Sequence, residues 1–126
     1  MVQAITNITL DTIRQDISPK VLAKQHDAGS RYICATIQTN GQAFEFGEIR
    51  PPTVKLNAKR ADGQTNSFNG TIQADDSVLL PIDAWMLTLD DVVECEVLIE
   101  TGGIKLRTIS FVVDVAASIE ISQSKI

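Results

Sequence analysis

The sequence predicts an all-β domain. It reads as an antiparallel β-sandwich, immunoglobulin-like or jelly-roll-like, of eight or nine short strands. Three observations carry this. Turn signals recur along the chain at Gly29, Asn40-Gly41, Asp62-Gly63, Asp75-Asp76 and Gly102-Gly103. Between them, apolar residues alternate with a period of two, as strands with one buried face require. No segment carries a helical apolar pattern longer than about two turns. A chain of 126 residues fits one domain. Residues 1–115 are assigned to it, and residues 116–126 to a C-terminal arm.

The elements follow in order. Residues 2–10 alternate Val2, Ala4, Thr6, Ile8 and Leu10 against Gln3, Ile5, Asn7 and Thr9, a strand pattern. Ser18-Pro19 breaks the chain before the next strand, and residues 11–16 can form a short helix capped by Asp11. Residues 21–25 and 31–38 read as a β-hairpin around a polar turn. In that turn Gly29 supplies freedom at positive φ, Asp27 can bond the backbone, and Arg31 can reach back to Asp27. Asn40-Gly41 predicts a tight hairpin, followed by a short strand with Phe44 and Phe46 on one side.

Val54, Leu56 and Ala58 alternate with Lys55, Asn57 and Lys59. Asp62-Gly63 then reverses the chain into a strand at residues 66–74, with Phe68, Gly70, Ile72 and Ala74 in phase. A short strand follows at 77–82. Residues 83–87 predict one helical turn capped by Asp83, plugging one end of the sandwich with Trp85 and either Leu87 or Met86. Val93, Cys95, Val97 and Ile99 face one way in residues 91–100, with Glu94, Glu96 and Glu100 opposite. Residues 104–115 form the last long strand, with Ile109, Phe111, Val113 and Val115 in phase. The arm can extend this strand, start a helix or stay flexible; its apolar Ile119, Ile121 and Ile126 point to docking on a partner.

Composition narrows the function. Aromatic residues make up only 5% of the chain, so the core is built mainly from Val, Ile, Leu and Ala. The net charge of −5 argues against nucleic acid, which demands clustered Lys and Arg, and against anionic membranes. It leaves docking on neutral or basic protein surfaces open. No apolar run approaches the roughly 18 residues that a membrane-spanning helix needs. The first residues lack the basic and apolar regions of a signal peptide, so cytosolic synthesis is expected, with exit only inside an assembly. Cys34 and Cys95 fall on opposite phases of their strands and are expected as free thiols, not a bridge.

No catalytic or metal-binding constellation stands out. His26 is the one histidine, and it lies in a turn without a nucleophile motif around it. The pairs Asp75-Asp76 and Asp90-Asp91 lack a calcium-loop pattern, and the isolated glycines form no phosphate-binding loop. No enzyme activity, cofactor or metal is expected. The basic residues Lys55, Lys59, Arg60, Lys105 and Arg107 read as solvated strand faces. An alternative role is a carbohydrate-binding sandwich that stacks sugars on Trp85 or Tyr32.

The segment Lys24-Gln25-His26-Asp27-Ala28-Gly29-Ser30-Arg31 resembles the turn that opens the N-terminal domain of phage baseplate upper proteins, in tailed phages of Gram-positive hosts. Asn40-Gly41, residues 54–63, the Leu-Pro-to-Met element at 80–86 and the strands across 93–115 follow in that family's order. His26 stands where the family often has a small residue. The resemblance implies a β-sandwich that anchors or bridges receptor-binding or fibre proteins to the distal tail protein. It implies a virion component assembled in the host cytoplasm, working as a homo-oligomer, with a trimer as one form. In the family a long helical, trimeric region follows this domain. A chain ending at Ile126 is then expected to be a stand-alone adaptor, or to leave presentation to a separate chain.

Overall fold

A computed structural model of the protein describes residues 3–13, 18–44, 46 and 52–119. Among them the chain forms β1 (Ala4–Asp11), β2 (Lys20–Lys24), β3 (Arg31–Thr39), β4 (Gln42–Ala43), β5 (Thr53–Lys59), β6 (Thr65–Asn69), β7 (Thr71–Ile72), β8 (Ser77–Pro81), β9 (Val92–Thr101), β10 (Ile104–Arg107) and β11 (Phe111–Ala116). One 3-10 turn, Ala84–Leu87, lies between β8 and β9. The first sheet runs β1-β3-β8-β7, with β4 also on β3. The second runs β2-β11-β9-β5-β6, with β10 also on β9. The two sheets close over one core as a β-sandwich, as the alternation predicts.

Two features depart from the sequence reading. The sandwich is not purely antiparallel: β1 pairs with β3, and β2 with β11, in parallel. Nor do β2 and β3 form a hairpin. They lie in different sheets, and residues 25–30 arch between them. Alternation and a turn sequence specify faces and a reversal, and say nothing of which strand lies beside which. An arch between layers and a hairpin within one layer therefore look alike in sequence.

The strand count rises to eleven among the described residues because two long expected strands each break. The first break is at Gly70, where the chain leaves the second sheet as β6 and enters the first as β7. The Gly70 N–H donates to the Val54 carbonyl at 2.9 Å. A β-carbon there would lie 2.7 Å from Leu80 Cδ2 and 3.0 Å from Val54 Cγ2, so only glycine lets the backbone pass this close to the core. The second break is a β-bulge at residues 108–110. Arg107 lies opposite Leu98 and Phe111 opposite Cys95, so four steps on one strand match three on the other. The Thr108 Oγ1 accepts from the Val97 N–H at 3.0 Å, and the Thr108 N–H donates to the Val97 carbonyl at 3.0 Å. The extra residue switches the inward phase from Leu106 to Phe111, Val113 and Val115.

The core is aliphatic. Leu10, Val21, Ile33, Leu56, Val78, Leu80, Val97 and Val113 have no exposure, and Phe111 is its one fully buried ring among the described residues. The 3-10 turn closes one end. The Asp83 carboxylate accepts from the Trp85 N–H at 2.9 Å and caps the turn, while Met86 and Leu87 are fully buried below it. Substituting Gly70 by alanine is expected to lower stability by about 1–3 kcal/mol, because Leu80 is fully packed and cannot step aside. Urea unfolding of the variant, with an unchanged m-value, checks this.

Candidate docking surface

At one end of the sandwich, the arch at 25–30 is a junction of backbone bonds. The Gln25 N–H donates to the Ala116 carbonyl at 2.8 Å, and the His26 N–H to the Leu87 carbonyl at 3.0 Å. The Ala4 N–H donates to the Ser30 carbonyl at 2.8 Å. The start of β1, the end of β11 and the 3-10 turn therefore meet on six residues. Reaching all three forces left-handed backbone at His26 (φ 71°) and Gly29 (φ 69°). Arg31 Nε lies 2.7 Å from Asp27 Oδ2, and this half-exposed pair braces the arch. Removing a turn pair of this kind costs about 1 kcal/mol at most.

At the opposite end the Asp11 carboxylate is 7% exposed. It accepts from the backbone N–H groups of Ile13 (2.8 Å), Asn40 (3.0 Å) and Gly41 (2.8 Å). The Asn40-Gly41 turn takes positive φ at both central residues, 52° and 81°, the geometry of a tight hairpin turn. Its two N–H groups point off the strand pair, and Asp11 takes both. Asp11 thus ends β1 as a clasp on the β3–β4 hairpin. The sequence reading placed it as a helix cap; residues 14–16 of that expected helix lie outside the described residues.

Charge is divided between the sheets. The strands of the first sheet hold two charged residues, Asp11 and Arg31, and both are engaged as above. Its outer face carries Ile5, Tyr32, Cys34, Leu79 and Pro81 interleaved with Asn7 and Thr36. The second sheet carries ion pairs across its outer face: Lys20–Asp114 at 3.2 Å and Arg107–Glu96 at 2.9 Å. A groove of about 560 Å³ on that face is lined by Asn57, Lys59, Asn66, Ser67, Glu94 and Glu96. There Ser67 donates to Asn57 at 2.8 Å and Asn57 to Glu96 at 3.3 Å, a polar ladder over three strands. Depletion of charge on a surface with aromatic and apolar side chains marks the core of protein interfaces, so the first sheet is the better candidate for docking.

The remaining sequence candidates fall as follows. Ile119 is 86% exposed, while Ile121 and Ile126 lie outside the described residues. Trp85 is half-buried, with the Arg60 guanidinium 4.5 Å over its ring and Phe68 at 5.9 Å. The guanidinium covers that ring face. Cys34 and Cys95 are free thiols, one on the outer face of the first sheet and the other inside the second. Among the described residues, no group of three or more His, Cys, Asp or Glu comes together as a metal site. The clasp at Asp11 and the charge division were missed from the sequence. The second could have been found by sorting charges strand by strand once the sheets were known.

Burial pushes the Cys95 thiol up to about 12, with the Glu94 carboxylate adding to it. Folding then holds a proton that the unfolded chain releases above about pH 9. Stability is full below that pH and falls as pH rises from about 9 towards 12, by up to about 1.4 kcal/mol per unit from this group. Urea midpoints measured across that range are expected to fall less steeply in Cys95→Ala. A thiol reagent at neutral pH is expected to count one thiol, Cys34, in the native protein and two after unfolding.

Asp11→Ala leaves the turn N–H groups of Asn40 and Gly41 without their acceptor and is expected to cost about 2–3 kcal/mol, more than Asp27→Ala. Thermal unfolding of the two variants side by side checks the order.

No family model and no curated relative matches this sequence. Among solved structures, the chain is similar to the N-terminal domain of phage TP901-1 ORF48, with a TM-score of 0.71 and 18% sequence identity. The match covers 90% of this chain and 99% of that one. This chain therefore has the fold of a phage protein's N-terminal domain, in agreement with the resemblance read from its turns.

Proposed function

We propose that this chain is a non-enzymatic structural component of a phage tail tip or baseplate. It anchors or bridges receptor-binding or fibre proteins to the distal tail by protein–protein docking, in several copies. The observation that carries this reading is the fold shared, almost end to end, with the N-terminal domain of phage TP901-1 ORF48. The charge-poor outer face of the first sheet supports docking as the mode of action, since interfaces exclude unpaired charge from their centres. Residues 1–115 act as the docking domain. The arm at 116–126, with Ile119, Ile121 and Ile126, adds apolar contacts to a neighbour such as the distal tail protein. The glycan-binding alternative rests on Trp85 or Tyr32 as its platform; Arg60 stands over Trp85, and Tyr32 lies on the outer face of the first sheet.

The protein belongs, on this reading, in the assembled virion. Mass spectrometry of purified particles is expected to find it at a fixed ratio to the tail proteins, and immunogold labelling to place it at the tail tip. Particles that form, adsorb and infect normally without the chain would overturn the proposal.

A further inference from the structure

We propose that Asn40 is a latent modification site: its side-chain amide is open to loss of ammonia through a cyclic imide, and the Asp11 carboxylate holds that reaction shut. The sequence carries two Asn-Gly pairs, Asn40-Gly41 and Asn69-Gly70. In such a pair the reaction meets least steric resistance, because glycine adds no side chain beside the attacking nitrogen. The glycine nitrogen gives up its proton and forms a bond to the asparagine Cγ. The bond from Cγ to the side-chain nitrogen breaks, and that nitrogen leaves as ammonia with the proton. Water then opens the ring at either carbonyl, leaving an aspartate or its β-linked isomer. No electrons are gained or lost, and water is the only co-reactant.

The two pairs are protected in different ways. Both asparagines are exposed, so access to solvent does not separate them. At Gly70 the core is the guard. Its N–H donates to the Val54 carbonyl at 2.9 Å, and a β-carbon there would fall 2.7 Å from Leu80, so the backbone has no room to shift. At Gly41 no heavy atom beyond its chain neighbours lies within 4 Å of the equivalent position. The strand that follows it, β4, is two residues long. Packing therefore leaves this turn free to move, and the hold comes from one side chain.

Ring closure turns the Asn40–Gly41 peptide about the Cα–C bond of Asn40, which brings the Gly41 nitrogen to Cγ. The Asp11 carboxylate accepts from the N–H groups on both sides of that bond, Asn40 at 3.0 Å and Gly41 at 2.8 Å. It thereby fixes the rotation with charge-assisted bonds. It also opposes loss of the Gly41 proton, since an anionic nitrogen would then stand beside an anionic carboxylate. Carboxylates are too weak as bases to take a proton from a peptide nitrogen near neutral pH, so Asp11 restrains the step and does not drive it.

The test follows both sites by peptide mapping, which reads the mass difference between amide and acid, during long incubation at mildly alkaline pH. In guanidinium chloride the two sites are expected to convert at similar rates, since each is Asn followed by Gly. In the native wild type both are expected to stay amides over the same period. In Asp11→Ala, Asn40 is expected to convert at least about tenfold faster than in the native wild type, the factor that one bond to a charged group supplies, while Asn69 stays intact. Should Asp11→Ala fail to fold, Asp11→Asn, which keeps the shape and loses the charge, takes its place with the same expectation. A native wild type that converts Asn40 as fast as the denatured chain overturns the proposal. Asn40 left slow in the folded variant overturns it too, and gives the protection to the turn alone. Equal acceleration at Asn40 and Asn69 assigns the effect to global unfolding and likewise overturns it.

Discussion

Everything in this fold follows from one constraint: β1 and β3 lie side by side and run the same way. Parallel neighbours cannot be joined by a tight turn, because the chain must first travel back to the end where it started. Here β2 makes that return journey in the opposite sheet, and the arch at 25–30 brings the chain back into the first. The return strand needs a partner of its own, and it finds β11, again in parallel. The first and last strands of the domain are thus locked to the same excursion. The arch then holds all three participants by backbone bonds to Ala4, Leu87 and Ala116.

The two ends of the sandwich solve different problems. At the arch end, strand termini converge, and the 3-10 turn with Met86 and Leu87 fills the space between the layers. With few aromatic residues available, this end relies on aliphatic burial and on the Arg60–Trp85–Phe68 stack along its rim. At the other end, a carboxylate replaces packing. Asp11 satisfies three backbone donors at once, and these charge-assisted bonds offset the cost of burying its carboxylate. Gly70 lets the chain pass from the second sheet into the first, which closes the side of the sandwich away from β1.

Much of this was legible in the sequence, and the rest was not, for reasons that can be named. Val54-Leu56-Ala58 and Val93-Cys95-Val97-Ile99 declare their buried faces, because a period of two is a property of the strand itself. Asn40-Gly41 and Asp62-Gly63 declare their turns, because few residue pairs tolerate that backbone. The pairing of β1 with β3 is a property of two segments distant in sequence, and neither carries a local mark of it. The bulge at 108–110 breaks the phase by one residue, and Ile109-Phe111-Val113-Val115 reads as unbroken because Ile109 happens to be apolar too. Arg31 and Asp27 could be paired by spacing, yet the turn they brace joins two layers, which spacing does not reveal.

The division of charge ties the fold to its use. Lysines, arginines and glutamates alternate with apolar residues along β5, β9 and β10, so the second sheet keeps its outer face in water and its ion pairs on that face. The first sheet obeys the same alternation with threonine, asparagine, tyrosine and cysteine in place of charge. Both patterns bury one face equally well, so stability of the sandwich does not choose between them. What separates them is the fate of the outer face: a charged one resists removal from water, and an uncharged one gives up its hydration at little cost. A chain of net charge −5 that nonetheless keeps one whole sheet nearly free of charge has its solvating groups on one side and a weakly hydrated face on the other.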